Sequence, residues 1–153
     1  MRTVGELIQG KAFYTANSDQ SVYEIARYMA EKDIGAVPIL QDNRLVGIFS
    51  ERDIIKRVIV AGKDVRTTSI KEVMTTELVV AQSTEEVTQV LEKMQKNRCR
   101  HMPVVIGDRL AGFLPCAICF RQTWKKKTPK YNNSTPTSIT PHKKALKLEA
   151  SGA

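Results

Sequence analysis

The stretch "AVPILQDNRLVGIF", residues 36–49, holds two apolar runs on either side of a polar turn, and residues 102–114 repeat this pattern as "MPVVIGDRLAGFL". Apolar runs rich in β-branched residues and joined by a short polar turn are typical of a β-hairpin. At a constant offset of 65, residues 10–49 align with residues 75–114 without a gap. Similarity at a fixed period indicates a duplicated structural unit. The sequence therefore predicts two copies of one fold.

The segment before each hairpin has the pattern of a short strand followed by an amphipathic helix. Apolar runs at residues 13–16 and 78–81 predict the strands. Apolar residues then recur at i, i+3, i+4 and i+7, a spacing that gives each helix one buried stripe. Ser18 and Ser83 precede the helices and are predicted to be their N-caps, because a serine hydroxyl can accept a hydrogen bond from a free helical N–H.

The predicted fold class is α+β, with two β-α-β-β-α modules in a pseudo-twofold pair and a disordered basic tail. A module of about 55 residues buries little core alone, so we expect the copies to pack together with clefts where they meet. The first module is assigned to residues 1–62, ending at the helix C-cap Gly62, and the linker to residues 63–69. The second module is assigned to residues 70–114, with its final helix missing or altered, and the tail to residues 115–153.

The composition favours a globular protein of the cytoplasm. The chain has 153 residues, of which 42% are hydrophobic and 26% are charged, and these fractions are ordinary for a soluble domain. No apolar run is long enough to cross a membrane, and the N-terminus has no apolar signal region. Three cysteines without a signal favour a reducing compartment. We therefore expect a cytoplasmic protein with no membrane partner.

The formal net charge of +8 is concentrated at one end of the chain. Residues 1–113 hold 16 Lys/Arg and 15 Asp/Glu, whereas residues 114–153 hold 8 basic residues and one acidic residue. The body therefore lacks the basic surface that nucleic-acid binding needs. The run Lys125–Lys127 could contact nucleic acid, but its surroundings have almost no apolar content and favour a solvated tail. Nucleic acid is thus an unlikely partner on these grounds.

Ser50 and Asp53 follow the first hairpin and open the predicted helix. In the structural interpretation, the Ser50 hydroxyl caps a free N–H and Asp53 lies at the positive end of the helix dipole. In the functional interpretation, the same helix N-terminus binds a nucleotide. The aspartate would accept hydrogen bonds from two sugar hydroxyls, and Arg52 would face phosphate oxygens. The two residues alone favour capping.

The doubled β-α-β-β-α unit, with G-h-x-[ST]-x-x-D closing the first copy, resembles the CBS domain, named for cystathionine beta-synthase. The resemblance covers residues 1–114, through "VPILQDNRLVGIFSERDII", "IKEVMT" and "RCRHMPVVIGDRLAGFL". The chain is most similar to stand-alone bacterial and archaeal proteins made of one CBS pair. Such pairs typically bind AMP, ATP, NAD or S-adenosylmethionine in the cleft between modules, and they often dimerise into a flat disc.

The resemblance implies a set of ligand-binding residues and no required cofactor. Asp53 would hold the ribose, and Ser50 and Arg52 would lie near the phosphates. The adenine would lie against backbone and apolar atoms of the other module. The residues implied there are Thr76, Val80, Met102 and Pro103.

Arg100 and His101 precede the inner strand of the second module. One interpretation is a solvated strand edge, since isolated charged residues are usually exposed. The resemblance supports the other interpretation with equal weight, because similar basic pairs in CBS modules reach nucleotide phosphates. A phosphate near His101 would favour its charged form.

Cys116 and Cys119 form a C-x-x-C pair, with Cys99 and His101 upstream, which could indicate zinc or redox chemistry. One such pair without a second is a weak signal, so no metal ligand is assigned. The sequence contains no Ser-His-Asp set, no paired catalytic carboxylates and no phosphate-binding glycine loop. We therefore expect no enzymatic activity.

The second copy departs from the pattern just after its hairpin. Pro115 and Ile118 stand where the first copy has its serine and aspartate, and the composition changes abruptly at residue 114. A shifted reading frame from about that point, by sequencing error or mutation, is a hypothesis that the gene's nucleotides would test. The altered end is expected to leave apolar surface exposed, to weaken dimerisation and to lower stability.

The favoured function is regulatory: a sensor that binds an adenine nucleotide between its modules and signals to an unknown partner by population shift. The alternative is a scaffold that acts through dimerisation with an empty cleft. Binding of nucleic acid through the tail is the third and least favoured function. The sequence does not identify which adenosyl compound would bind.

Overall fold

The computed structural model describes residues 2–124 and contains two units that follow one another along the chain. A short helix, α1 (Val4–Ile8), precedes the first unit, and a 3-10 turn (Ile70–Glu72) precedes the second. The first unit comprises β1 (Ala16–Asn17), α2 (Val22–Lys32), β2 (Ala36–Gln41), β3 (Arg44–Ser50) and α3 (Glu51–Asp53), which continues as a π-helical segment (Ile54–Ile59). The second comprises β4 (Ala81–Gln82), α4 (Val87–Lys96), β5 (His101–Ile106), β6 (Arg109–Pro115) and α5 (Cys116–Trp124).

The two sheets have the same topology, which confirms the α+β fold class and the duplicated unit. Their strand orders are β1-β2-β3 and β4-β5-β6. In each sheet the short first strand pairs in parallel with the middle strand, and the hairpin is antiparallel. The hairpin register shifts between Ile39 and Leu40 in the first sheet and between Val104 and Val105 in the second. The irregularity thus falls at equivalent positions, 65 residues apart.

The predicted N-caps of the two long helices are wrong by three residues. Helix α2 is capped by Ser21, whose side chain accepts from the Glu24 N–H while Glu24 bonds back to the Ser21 N–H. Glu86 holds the corresponding position before α4. Ser18 is instead fully buried, and its N–H donates to the Leu40 carbonyl at 3.0 Å. Ser83 is placed in the same way, and its N–H donates to the Val105 carbonyl at 3.0 Å. Both serines thus continue the parallel pairing of their sheets.

Each lead-in segment packs on the other unit's core, so the predicted module bounds do not coincide with the cores. Val4 and Leu7 of α1 are buried with Ala81, Val90 and Met94 in the second core. In the same way, Ile70 and Val73 are buried in the first core. The N–H of Val4 donates to the Glu85 carbonyl at 2.9 Å, and that of Ile70 donates to the Gln20 carbonyl at 3.1 Å. The two units are therefore joined by a reciprocal exchange of their lead-in segments.

The ends of the two units agree with the sequence in part. Gly62 has the left-handed φ of +68° typical of a residue after a helix, but the helix after β3 ends at Ile59 with Val60 as its C-cap, two residues before the predicted cap. The second unit does have a final helix, α5, where residues 115–153 were predicted to be disordered. Helix α5 forms because Cys116, Ile118 and Cys119 pack against the second core. The rest of the predicted tail, with its lysine run, lies outside the described residues.

Candidate functional site

A cavity of about 650 Å³ lies between the two units. Its walls come from the end of β3 with the helix that follows, from the chain leading into β4, and from the start of β5. The lining residues are 35–36, 48, 50–53 and 55–56 from the first unit, and 75, 77–79 and 97–101 beyond it. Because both units contribute, a molecule in this cavity would contact both of them.

Ser50 and Asp53 form a reciprocal capping box at the edge of this cavity. The Ser50 N–H and hydroxyl both donate to Asp53 Oδ2, at 2.9 and 2.8 Å, and the Asp53 N–H donates to Ser50 Oγ at 3.4 Å. The sequence places these groups here because β3 ends at Ser50 and the helix starts with the next residue. The structural interpretation of the pair is therefore correct as far as it goes. The box also fixes the direction of a carboxylate that lines the cavity.

The other carboxylate oxygen of Asp53 has longer contacts. The Thr75 hydroxyl donates to Asp53 Oδ1 at 3.4 Å, and Arg57 Nε lies 3.5 Å from the same oxygen. Asp53 is only 8% exposed, so these contacts hold its charge in a partly desolvated position. Sequence reasoning missed both Thr75 and Arg57. Arg57 lies four residues after Asp53, a helical spacing that could have indicated the pair.

Thr75 is held against the first unit by its backbone. Its N–H donates to the Ile48 carbonyl and its carbonyl accepts from the Ile48 N–H, both at 2.9 Å. This isolated bridge extends the first sheet by one residue pair on the cavity side of β3. The chain between the units is thereby fixed as a wall of the cavity.

Arg100 and His101 lie on the opposite wall, at the start of β5. The Arg100 carbonyl accepts from the Cys116 N–H at 2.7 Å, which joins this end of β5 to the start of α5. The His101 ring stacks on Phe113 with a centroid distance of 5.3 Å. Burial lowers the pKa of His101 below its ordinary value, Arg100 lowers it further, and Glu51 acts in the opposite direction. The charged form of the His101 ring is thus disfavoured beside the cavity.

The structure brings together only part of the predicted ligand-binding set. Ser50, Arg52, Asp53, Arg100 and His101 all line the cavity. Four residues predicted to surround the adenine are not among its lining residues: Thr76, Val80, Met102 and Pro103. Thr76 is exposed, and Met102 is fully buried in the second core. Along the chain between the units, the lining residues are instead Thr75 and residues 77–79.

Comparison with known proteins adds the family to this geometry. The family model of the CBS domain matches residues 4–60 and again residues 70–115. The chain belongs to the CBS-domain family. The two matched segments correspond to the two units of the structure, so the protein is a tandem CBS pair. Proteins of this family are generally regulatory modules rather than catalysts.

Relatives of this CBS pair include the mitochondrial CBS domain-containing protein CBSX3 of Arabidopsis thaliana, with 27% identity over 119 residues. That match covers 74% of this chain and 57% of the relative, so the chain spans little more than half of its length. The CBS domain-containing protein YhcV of Bacillus subtilis is 30% identical over 100 residues, covering 65% of this chain and 71% of the relative. Stand-alone CBS pairs are therefore among its relatives.

The solved CBS pair of protein MJ0100 is similar in structure. It has a TM-score of 0.73 and 30% identity, and the match covers 83% of this chain and 99% of that chain. It was solved in complex with 5′-methylthioadenosine and S-adenosyl-L-methionine. An adenosyl ligand is thus recorded for a close structural neighbour of this CBS pair.

The three cysteines of the CBS pair lie in or beside the second core. Among residues 2–124, no group of three or more His, Cys, Asp or Glu side chains is placed to hold a metal ion. Cys119 is fully buried in the second core. Burial raises the pKa of the Cys99 and Cys119 thiols, and nearby Cys116 adds to this effect. Such thiols resist conversion to the thiolate that metal binding and redox exchange require.

The second unit of the CBS pair lacks the carboxylate motif at the equivalent position. Pro115 pairs with His101 at the end of β6, and Ile118 packs against the second core. Neither side chain can donate or accept a hydrogen bond. Within the part of the chain that the structure describes, no helix is long and apolar enough to cross a membrane.

Proposed function

We propose that this CBS pair is a regulatory sensor that binds an adenosyl ligand of the AMP, ATP, NAD or S-adenosylmethionine class between its two units. One observation carries the proposal. The carboxylate of Asp53 is fixed by Ser50 at the edge of a cavity to which both units contribute. A buried carboxylate held in one direction is suited to bind a pair of sugar hydroxyls.

The contacts of Asp53 favour a ribose at its Oδ1 atom. Oδ2 is occupied by two short hydrogen bonds from Ser50. Oδ1 has only the longer contacts with Thr75 and Arg57, at 3.4 and 3.5 Å. Since a carboxylate oxygen has two lone pairs, Oδ1 can accept better-placed donors. Hydroxyls of a ribose would satisfy it more fully than the present partners do.

The charges around the cavity favour a ligand that also carries phosphate. Four cationic side chains line it: Arg52, Lys56, Arg98 and Arg100. Guanidinium groups bind phosphate oxygens in bidentate fashion and strengthen such contacts by their charge. A bound phosphate would favour the charged form of His101, in which both ring nitrogens donate. These cations come from both units, so a phosphate chain would contact both. Three carboxylates, Glu51, Asp53 and Glu77, line the cavity as well.

Regulation would follow from the shared walls of the cavity. A ligand that contacts both units stabilises one arrangement of the pair over the others, and a partner can recognise that arrangement. The size of the change is limited by the difference in ligand affinity between the arrangements. The complex of the MJ0100 CBS pair with 5′-methylthioadenosine and S-adenosyl-L-methionine supports the adenosyl class.

Thermal unfolding with a panel of ligands tests this function. AMP, ATP, NAD and S-adenosylmethionine are each added in excess to the full chain, and the melting temperature is recorded. A ligand that binds the folded state alone at 100 times its Kd stabilises that state by about 2.7 kcal/mol, so a bound ligand gives a clear shift. The Asp53→Ala variant is expected to lose the shift.

The Asp108→Ala variant is the matched control, because Asp108 is an exposed aspartate in the turn between β5 and β6. It is expected to keep the full ligand-induced shift. A panel in which no compound changes the melting temperature of the unaltered protein would contradict the sensor function and favour the scaffold.

A scaffold that acts through dimerisation is the second candidate, and one surface favours it. Ile55, Ile59 and Val60 are exposed to 56%, 63% and 77% on the helical segment after β3. Large apolar side chains clustered on one segment are typical of protein interfaces. Sedimentation of the protein with and without an Ile59→Glu substitution tests this surface. Loss of a dimer in the variant supports the scaffold, whereas a monomer in both contradicts it.

A further inference from the structure

Arg57 joins the two units although it does not line the cavity. It lies on the π-helical segment, and its Nη1 atom donates to the carbonyls of Met74 and Val73 at 2.8 and 3.3 Å. Its Nε atom lies 3.5 Å from Asp53 Oδ1. One guanidinium therefore contacts the site carboxylate and the lead-in segment of the second unit at the same time.

Arg57 contacts both the residues that precede Thr75 and the carboxylate that the Thr75 hydroxyl faces. Val73 and Met74 directly precede Thr75, and the Thr75 hydroxyl donates to the same Asp53 oxygen that faces Arg57. The backbone of Thr75 is paired with Ile48. A planar guanidinium can serve several acceptors in fixed directions, which a lysine ammonium cannot. Arg57 thus contacts the wall of the cavity without lining the cavity itself.

We propose that Arg57 is a positioning residue of the adenosyl site. It holds the Asp53 carboxylate and the cavity wall around Thr75 in the geometry that a ribose needs, and it does so without touching the ligand. This inference rests on the proposed function.

The mechanism has a definite direction. A ribose hydroxyl that donates to Asp53 Oδ1 replaces the long Thr75 contact, and Arg57 stays beside that oxygen. Arg57 still holds the carbonyls of Val73 and Met74, so the wall stays in place while the ligand takes the carboxylate. Without Arg57, the ligand would have to order both the carboxylate and the wall, and that ordering weakens binding.

Calorimetric titration of the full chain with two probes tests the proposal. AMP and 5′-methylthioadenosine share the adenosine group, but only AMP carries a phosphate. We expect Arg57→Gln to weaken both by about tenfold, a loss typical of a hydrogen bond to a charged group. Arg27→Gln is the matched control, because Arg27 pairs with Glu31 on the exposed surface of α2. It is expected to leave both affinities unchanged.

The two probes separate positioning from direct contact. Equal loss for AMP and 5′-methylthioadenosine supports a role that acts through Asp53 and the wall. Loss for AMP alone would mean that Arg57 binds the phosphate, which overturns the proposal. Arg57→Lys keeps the charge but not the fork of donors, so its affinities should lie between those of the unaltered protein and of Arg57→Gln.

A double-mutant cycle tests whether Arg57 acts through Asp53. If it does, Arg57→Gln should weaken binding of either probe clearly less in the Asp53→Asn background than in the unaltered protein. Fully additive losses would indicate a general structural effect and overturn the proposal. If neither probe binds the unaltered protein, the proposed function itself fails. Binding that is lost in Asp53→Asn but kept in Arg57→Gln overturns the positioning role alone.

Hydrogen exchange of the ligand-free protein gives a result that does not depend on a ligand. The Thr75 and Ile48 amides form the pair of hydrogen bonds that Arg57 supports. Arg57→Gln and Arg57→Lys should both speed exchange at these amides, whereas the buried amides of α2 should exchange as before. Unchanged exchange at Thr75 overturns the proposal, and so does equal acceleration throughout the chain.

Discussion

Gly112 lies so close to Ile8 that a Cβ atom on Gly112 would come within 2.7 Å of Ile8 Cγ2. The equivalent Gly47 lies beneath the side chain of Met74, where an added Cβ would also be 3.2 Å from the Thr75 carbonyl oxygen. Each glycine therefore lets the lead-in segment of one unit cross the last strand of the other. The exchange of segments depends on these two close approaches.

Gly112→Ala is expected to destabilise the protein by about 1–3 kcal/mol, because the added methyl overpacks the contact with α1. The change in denaturant midpoint measures this effect. Gly35→Ala is the control, since its Cβ would meet only the flexible Glu51 side chain at 3.4 Å. Equal stability of the two glycine variants would contradict the close approach as the cause.

Ser50→Ala separates capping from ligand binding. Ser21 and Ser50 both form capping boxes, with Glu24 and Asp53 respectively. Loss of either hydroxyl should cost about 1 kcal/mol of stability, measured by urea unfolding. Only Ser50→Ala should also weaken AMP binding, by about tenfold, because its hydroxyl fixes Asp53 Oδ2. AMP binding that falls equally in both variants would argue against a role for the Ser50 box in the site.

The repeat could be predicted from the sequence because the features that specify it are local. Apolar runs, a polar turn and the glycine at position 47 or 112 recur with a constant spacing, and each specifies a strand or a turn by itself. The N-cap residues of the helices were harder to predict. In "NSDQSVYE" both Ser18 and Ser21 have cap chemistry, and only Ser21 has a glutamate three residues later. The capping-box rule selects Ser21 in the first copy, but in the second copy it selects Ser83, with Glu86 three residues later, although Glu86 is the cap.

The exchange of lead-in segments could not be predicted from periodicity. Five residues of α1 carry too little pattern to show which core they join, because the choice depends on contacts with distant parts of the chain. The likeness of "TVGELI" at residues 3–8 to "SIKEVM" at residues 69–74 was the available signal. The contacts of Thr75 and the hydrogen bonds of Arg57 to residues 73 and 74 were missed for the same reason, since they cross between units. The Asp53–Arg57 pair, by contrast, had a local signal in its i, i+4 spacing.

The charge state of His101 should make folding stability depend on pH. Burial and Arg100 hold its pKa in the folded protein below the ordinary value of 6.5. The unfolded chain therefore takes up the proton first as the pH falls. Stability is fully present above pH 6.5 and is lost as the pH falls from there towards the folded pKa. Urea unfolding across this range measures the loss.

His101→Gln is expected to remove that part of the slope, because glutamine does not titrate. Other groups, including carboxylates paired in the folded state, add slopes at lower pH that both proteins share. The comparison between the two proteins therefore isolates His101. Identical pH profiles of the two proteins above the carboxylate range would contradict a lowered pKa of His101.

The unequal ends of the two units predict one AMP molecule per chain. Asp53 is fixed by Ser50 in the first unit, whereas Pro115 and Ile118 hold the equivalent positions in the second. An apolar pair cannot bind ribose hydroxyls, so the second position should stay empty at AMP concentrations that saturate the first. Calorimetry gives the stoichiometry directly. Two equal sites per chain would contradict the assignment of Asp53 as the residue that selects the ligand.

Replacing Pro115 by serine together with Ile118 by aspartate tests the same argument in reverse. If the motif is what the second unit lacks, Pro115→Ser with Ile118→Asp should add a second AMP-binding event, and Pro115→Ser alone should not. Ile118→Asp alone is expected to destabilise the protein, because a carboxylate would replace an apolar side chain packed on the second core without a capping partner. Melting temperatures of the three variants measure that cost.

The gene's nucleotides offer an independent check, since a shifted reading frame predicts codons for serine and aspartate at these positions in another frame. Codons that cannot encode them there would remove the frame hypothesis, and a double variant with unchanged stoichiometry would show that the second unit lacks more than two side chains.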